Sequence, residues 1–265
     1  MRSKLFFPFI LISVFTFSVN VKGSSPTAIR GVLDLREINN PDHFIVKLNG
    51  EWEFYWKKML RPFDFKSGTY KPDYYGIVPS YWTDYRDRSV KTEKYGYATY
   101  RLTILLPPGF NKPLGIDLPV FDSSYDIYLN GKYLGGNGVP GKSATETKPE
   151  YKRNFYRFSP ESDSLTIINV SNYDHRRGGF WLPVKIGTFA EVQKRMANSW
   201  AGEWSVISVL IGFSIFFLFF FLISPRERIM GFLSITTTGL ALRPLFTSHY
   251  LILNLFAMDW VWIVR

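Results

Sequence analysis

The stretch YDIYLNGKYLG (residues 125–135) carries the clearest local fold signal in the chain. Asn130 and Gly131 both tolerate a positive φ, and an Asn-Gly pair is a preferred centre for a two-residue type I′ turn. Tyrosine, isoleucine and leucine stand at alternate positions beside the pair, which is the period of a strand with one buried face. The stretch therefore predicts a β-hairpin.

Short apolar or alternating runs of the same kind recur from about residue 44 to residue 188, separated by turn residues such as PPG, NG and RRGG. None of the segments between them has the longer period of a soluble helix. We therefore predict that residues 24–199 form a mainly β domain, a two-sheet sandwich or jelly roll of about eight strands. An aromatic content of 18 % is enough to fill its core.

The composition excludes several kinds of site and partner. The chain has 265 residues and no cysteine, which rules out disulfides, thiolate metal sites and a cysteine nucleophile. Its formal net charge of +10 is scattered and forms no basic stripe or nucleic-acid-binding motif. We therefore predict no nucleic-acid partner, no bound metal and no cofactor.

The two ends of the chain have the patterns of exported and membrane proteins. Residues 1–23 combine early basic residues, an apolar run and small residues at the end, which predicts a cleaved signal peptide, with an uncleaved anchor as the alternative. Residues 204–224 carry no charge and are long enough to cross a bilayer. The arginines of the following PRER mark the cytoplasmic side, so the β domain is predicted to lie outside the cytoplasmic membrane.

We predict a second span at residues 229–250, whose glycine, serine and threonine residues suit close packing against another helix. The apolar residues from 251 onward are too few for a complete span, and we interpret them as the start of a third. The transmembrane region thus covers residues 200–265. This organisation predicts the N-terminal part of a longer, multi-pass protein of the cytoplasmic (inner) membrane.

Five motifs follow one another in the β region: GEWEFYW (50–56), VPSYW (78–82), YGYATYRLTI (95–104), DIYLNGKYLG (126–135) and INVSNYDHRRGGFW (168–181). Their order, with the flanking membrane-type segments, resembles the extracellular galactose-binding-like jelly roll of bacterial seven-transmembrane receptors with diverse intracellular signalling modules. YATYRLTI and YLNGKYLG also look like parts of the sugar-binding jelly rolls at the front of β-galactosidase-type enzymes. The resemblance covers residues 31–193.

The resemblance implies a signalling receptor. Its exported domain would sense a small molecule or a carbohydrate, and a helical bundle would transmit the signal to a cytoplasmic cyclase, histidine kinase or phosphatase. Residues 1–265 contain no such output module, so we expect no enzyme activity in this chain. Receptors of this design often act as homodimers.

One loop of the predicted β domain is a candidate ligand site. His175, Arg176 and Arg177 lie between two predicted strands, before the pair Gly178 and Gly179, which permits a tight connection. Guanidinium groups bind carboxylates, phosphates and sugar hydroxyls well. The alternative is that both arginines pair with surface carboxylates.

Three aromatic residues, Trp82, Tyr85 and Trp181, form a second candidate, a platform on which a sugar ring would stack. Aromatic side chains in a β sandwich are also common core residues, so core packing is the alternative. Glu51 and Glu53 share one face of a predicted strand, and we interpret them as solvated residues opposite an aromatic core face rather than as a catalytic pair.

Two other functions fit the same features. The first is a membrane-anchored carbohydrate-binding or glycoside hydrolase-associated protein, whose catalytic domain would lie elsewhere. The second is a structural envelope protein, which would bind a partner through a large exposed apolar patch. Charged residues within the predicted spans favour signalling over simple anchoring.

Overall fold

The computed structural model of the chain describes residues 25–65, 68–85, 91–121, 123–160, 163–173, 175 and 177–246. The predicted signal peptide and the predicted third span lie outside these residues. The described residues form two short 3-10 turns (Pro62–Phe65 and Trp82–Asp84), two helices and a set of strands. The strands are β1 (Val32–Asp34), β2 (Ile45–Lys47), β3 (Gly50–Trp56), β4 (Tyr74–Val78), β5 (Gly96–Leu105), β6 (Leu114–Leu118), β7 (Ser124–Leu129), β8 (Lys132–Asn137), β9 (Asn154–Phe158), β10 (Asp163–Asn172) and β11 (Lys185–Thr188).

The strands build two sheets with a common core. The larger sheet has the order β4-β3-β5-β10-β7-β8, and β1 pairs in parallel with the C-terminal part of β5. The smaller sheet has the order β2-β11-β6-β9, and its strands are antiparallel. This arrangement confirms the predicted two-sheet β sandwich. It has more strands than expected, because β1 and β4 lie outside the predicted runs and the stretch 125–135 supplies two strands, β7 and β8.

The stretch 125–135 forms the predicted hairpin from β7 and β8. Asn130 and Gly131 lie in its turn with φ of 50° and 79°, and two successive positive φ values are the signature of a type I′ turn. The alternate residues Tyr125, Ile127 and Leu129 are buried. Turn chemistry and strand period therefore agree, and both were readable from the local sequence.

The core between the sheets is aromatic on the side of the larger sheet. Trp52 and Phe54 of β3 are fully buried, as the alternation in GEWEFYW predicts. The Trp52 ring packs against Tyr100 of β5 and against Phe180 from the loop before β11, at centroid distances of 6.4 and 6.2 Å. The smaller sheet contributes aliphatic side chains: Val46, Leu114, Ile116, Leu118 and Ile186.

A long helix, α1 (Phe189–Ile223), begins at the residue after β11, and α2 (Arg228–Phe246) packs beside it. The predicted domain boundary at residue 199 falls inside α1. The apolar run that marks a span starts only at residue 204, whereas the helical backbone already begins at Phe189. Within the described residues, α1 alone combines the length and apolar character needed to cross a membrane. Of the predicted second span, α2 covers the part up to Phe246.

Hydroxyl groups join the two helices. The Ser234 hydroxyl donates to the Ser214 carbonyl oxygen at 3.0 Å, and the hydroxyl oxygens of Ser214 and Thr238 are 2.6 Å apart. Ser214 and Ser234 are both buried. The expectation of close helix packing through small hydroxylic residues is therefore confirmed for these positions.

Candidate functional site

The loop between β10 and β11 is organised by a buried asparagine. Asn172, 1 % exposed, donates its side-chain amide to the carbonyl oxygens of His175 (2.9 Å) and Lys94 (3.2 Å). Its Oδ1 atom accepts a hydrogen bond from the His175 backbone amide at 3.1 Å. Sequence reasoning missed this positioning residue. The available signal was an asparagine at the end of a strand, where such side chains bond to the backbone of the following turn.

The same loop lies against residues 80–82. The backbone amides of Ser80 and Trp82 donate to the carbonyl oxygens of Phe180 (2.8 Å) and Gly178 (3.0 Å). Gly178 is required for close packing, since a Cβ there would lie 2.2 Å from Cζ2 of Trp82. Gly179 makes the bend with a φ of 105°. The two glycines therefore fix this loop to the sandwich.

Trp82 and Tyr85, predicted as parts of a sugar-stacking platform, pack in the core. Trp82 has no exposed surface, and its indole N–H donates to the Glu93 carbonyl oxygen at 2.9 Å. The Tyr85 ring packs edge-on against Phe54 at 5.2 Å, and burial raises the pKa of its phenol far above the ordinary value. Stacking on a sugar requires an open ring face, and Trp82 presents none in this structure. The core alternative describes these two residues.

His175 and Arg177, two of the three predicted binding residues of this loop, are described, and Arg176 lies outside the described residues. The His175 Nδ1 atom is 2.9 Å from the Arg177 carbonyl oxygen, so the imidazole is held by its own loop. Among the described residues, no group of three or more His, Cys, Asp or Glu side chains is arranged to hold a metal ion.

Three side chains form a stack at the surface of this loop. The Arg177 guanidinium lies 4.9 Å from the ring centroid of Tyr81, and the rings of Tyr81 and Trp181 are stacked at 5.8 Å with an interplanar angle of 23°. Arg177 is exposed, and Tyr81 and Trp181 are half-buried. The Trp181 indole donates to the Phe121 carbonyl oxygen at 3.3 Å, which holds its ring in place. This rim stack combines a cation with pre-ordered aromatic surface. Tyr81 was missed, although its neighbour in VPSYW was singled out.

Both glutamates of β3 are half-buried, so they are less solvated than predicted. Glu53, with 18 % of its side chain exposed, accepts hydrogen bonds from Nη1 of Arg101 (3.1 Å) and from the Tyr55 hydroxyl (2.9 Å). Oε2 of Glu51 accepts the Arg30 backbone amide at 2.9 Å. Both carboxylates therefore hold neighbouring segments to the outer face of β3.

A second concave surface lies beside these glutamates, where β4 forms an edge of the larger sheet. It is an open groove of about 580 Å³, and the Arg30 guanidinium lies 5.5 Å from the ring centroid of Tyr75 within it. Arg30 has a φ of 46°, a region that non-glycine residues seldom occupy. The sequence carries no motif that indicates this groove. The residues lining it are Ile29, Arg30, Glu51, Pro72, Asp73, Tyr74, Tyr75 and Ile77.

Comparison with known proteins gives structural similarities only. No protein-family model matches the chain, and no curated protein matches it. Similar solved structures include a GH2 β-galacturonidase from Eisenbergiella tayi bound to galacturonate (12 % identity, TM-score 0.38, 55 % of this chain and 24 % of that one). They also include a β-glucuronidase of Ruminococcus gnavus (14 % identity, TM-score 0.42, 54 % of this chain and 28 % of that one). A third is a β-glucuronidase of Faecalibacterium prausnitzii (13 % identity, TM-score 0.41, 55 % of this chain and 31 % of that one). The chain thus spans about a quarter to a third of the length of these enzymes.

Proposed function

We propose that the chain is the sensing and first transmembrane part of a membrane receptor, with a galactose-binding-like jelly roll outside the cytoplasmic membrane. The observation that carries this proposal is the direct passage from β11 into α1 between Thr188 and Phe189. A domain that needs only to be held at the membrane can work at the end of a flexible linker. A domain that transmits a conformational preference to a membrane helix requires a stiff connection, which this chain has.

The first turns of α1 are anchored on the outer face of the smaller sheet. The Phe189 ring stacks on Phe155 of β9 at a centroid distance of 5.4 Å, and the Arg157 guanidinium lies 4.9 Å from the Phe189 centroid. Val192, one turn further along, is 1 % exposed. Because interiors packed in this way shift as units, a movement of the sheet moves α1 with it.

The remainder of α1, together with α2, carries apolar surface that favours a bilayer. Most of the phenylalanine, isoleucine, leucine and valine side chains at residues 206–223 are widely exposed. A contiguous apolar surface of this kind is unfavourable in water. Residues 204–223 correspond to about 30 Å of helix, the thickness of a hydrocarbon core. We place the following Arg226 and Arg228 in the cytoplasm and include α2 as the returning span.

For the ligand we propose a carbohydrate or another small molecule with hydroxyl or anionic groups, bound at the rim stack. Arg177 supplies a fork of N–H donors to such groups, and the exposed part of Trp181, on which the Tyr81 ring stacks, supplies aromatic surface for the apolar face of a sugar ring. His175 lies next to Arg177 in the loop that Asn172 holds in shape. Ligand binding there would favour one arrangement of the sandwich over another and would bias the position of α1.

A membrane-anchored carbohydrate-binding or glycoside hydrolase-associated protein is the second candidate, and the same rim stack supports it. The two candidates differ in what binding does to the helices. A receptor requires that the ligand change the arrangement of α1 and α2, whereas an anchored binding protein requires no such change. A spin-label distance between the two helices, measured with and without a bound sugar, separates them.

Binding itself is tested by screening the full chain, purified in detergent, against a panel of neutral and acidic oligosaccharides. For the sugars that bind, we expect Arg177→Ala and Trp181→Ala each to weaken binding at least about tenfold, the effect of losing one charge-assisted hydrogen bond or one stacking surface. Lys132→Ala is the matched control, because Lys132 is exposed in the hairpin of residues 125–135. Sugar affinities that both substitutions leave unchanged would remove the rim stack from the proposal.

A further inference from the structure

A cluster of basic side chains lies where α1 meets the smaller sheet. On the outer face of this sheet, Lys47 of β2 stands directly opposite Lys185 of β11, and Lys185 stands directly opposite Asp117 of β6. Side chains in such cross-strand pairs have Cβ atoms about 5 Å apart. Arg195 follows Val192 by one turn of α1, and Val192 packs over Gly115 of β6, so the Arg195 charge lies on the side of α1 that faces this sheet. The cluster therefore brings β2 and β6, which are distant in sequence, together with β11 and the α1 helix that follows it.

The charges of this cluster do not balance. Asp117, whose side chain is 3 % exposed, accepts two hydrogen bonds of 2.7 Å from Arg153 in a bidentate pair. Lys185 Nζ is 3.8 Å from the same carboxylate. Within the described part of the chain, neither Lys47 nor Arg195 has a carboxylate oxygen within 4 Å of its charged group. One buried carboxylate thus stands among four cations, and it is already neutralised by one of them.

This imbalance costs stability. Like charges in directly opposite positions of a sheet repel each other, and Lys47 and Lys185 form such a pair. The Lys185 side chain is only 21 % exposed, whereas Lys47 and Arg195 are exposed, so water screens the repulsion only in part. Burial lowers the pKa of Lys185, and the charges of Arg195, Arg153 and Lys47 lower it further against the opposing effect of Asp117. A bound anion would remove this repulsion.

We propose that Lys47, Lys185 and Arg195 bind a phosphate group at the junction between the β sandwich and α1. A tetrahedral dianion presents several acceptor oxygens at once, which suits two ammonium groups and one guanidinium fork converging from different elements. Because Lys47 and Lys185 belong to the sheet and Arg195 to the helix, the bound phosphate stiffens the connection between them. The site is separate from the rim stack, and its existence does not depend on the proposed receptor function.

The phosphate belongs either to a free phosphate compound or to an anionic lipid. Arg195 precedes Trp204 by about 13 Å of helix, which places the cluster just above the proposed bilayer surface. In the first arm, inorganic phosphate is titrated into the full chain in an uncharged detergent. In the second arm, phosphate-free thermal unfolding is compared in nanodiscs of phosphatidylcholine with and without phosphatidylglycerol.

We expect saturable phosphate binding with a Kd at or below about 1 mM, or stabilisation by phosphatidylglycerol in its place. Lys185→Gln and Arg195→Gln should each raise the Kd for phosphate at least about tenfold, or remove the stabilisation by phosphatidylglycerol. The control Lys132→Gln should leave the Kd and the stabilisation unchanged. Without phosphate, Lys185→Gln should unfold at the same or a higher temperature than the natural chain, because it relieves repulsion. The proposal is overturned if neither arm shows binding, or if binding is equal in the Lys185→Gln and Arg195→Gln variants.

Discussion

The buried ion pair between Asp117 and Arg153 offers a sharp test of how the charges on the smaller sheet are balanced. In Asp117→Ala, the Arg153 guanidinium loses both of its 2.7 Å hydrogen bonds to the carboxylate, and Lys185 loses a negative neighbour at 3.8 Å. Only 13 % of the Arg153 side chain is exposed, so water restores little of the lost interaction. Removing one partner of such a pair typically costs about 3–5 kcal/mol. We expect a loss of this size in the free energy of unfolding.

The measurement is urea unfolding of the full chain in detergent, followed by tryptophan fluorescence. The matched control is the double variant Asp117→Leu with Arg153→Met, which removes both charges and replaces them with apolar groups. We expect this variant to lose far less stability than Asp117→Ala, because no buried charge is left without a partner. The reasoning fails if Asp117→Ala costs less than about 1 kcal/mol, or if the double variant is as unstable as the single one.

Three further tests address other parts of the molecule. Gly178→Ala should lower the free energy of unfolding by about 1–3 kcal/mol, because the new Cβ overlaps the Trp82 indole. The control Gly202→Ala meets open space in α1 and should be neutral or stabilising. A smaller loss of stability at Gly178 than at Gly202 would contradict the packing of Gly178 on Trp82. Ser214→Ala should weaken the α1–α2 contact by about 0.6–2 kcal/mol in detergent unfolding, and an unchanged midpoint would show that its hydroxyl bonds contribute nothing. Burial raises the pKa of Asp126 above 3.8, so the stability associated with its protonated form is complete below pH 3.8 and is lost as the pH rises through the folded-state pKa. Asp126→Asn should therefore stabilise the chain at pH 7 and lose this advantage below pH 3.8, and equal unfolding midpoints at pH 7 would refute the argument.

The parts of the fold that depend on local chemistry could be predicted from the sequence. The turn at Asn130 and Gly131 requires positive φ values that few other residue pairs accept, and the alternation in GEWEFYW places Trp52 and Phe54 inward. The start of α1 could not be predicted in this way. Its first turns are stabilised by Phe155 and Arg157, which are distant in sequence, rather than by an apolar run of its own.

The candidate site was predictable only in part for a similar reason. The loop with Arg177 and Trp181 is marked by its composition, and the structure joins both side chains in one stack with Tyr81. Whether an aromatic residue faces the core or the surface depends on which segment covers it. Trp82 is covered by Gly178, nearly a hundred residues later in the chain, and no local pattern shows such a contact.

The most direct test of the central claim is a distance measurement across the junction of β11 and α1. The chain has no cysteine, so spin labels can be attached selectively to Lys132→Cys in the sandwich and Ala201→Cys in α1, both at exposed positions. We predict a single narrow distance distribution for the full chain in nanodiscs, because the strand continues into a helix whose first turns are packed on the sheet. A broad distribution, of the kind that a flexible linker produces, would contradict rigid coupling and would favour a simple membrane anchor.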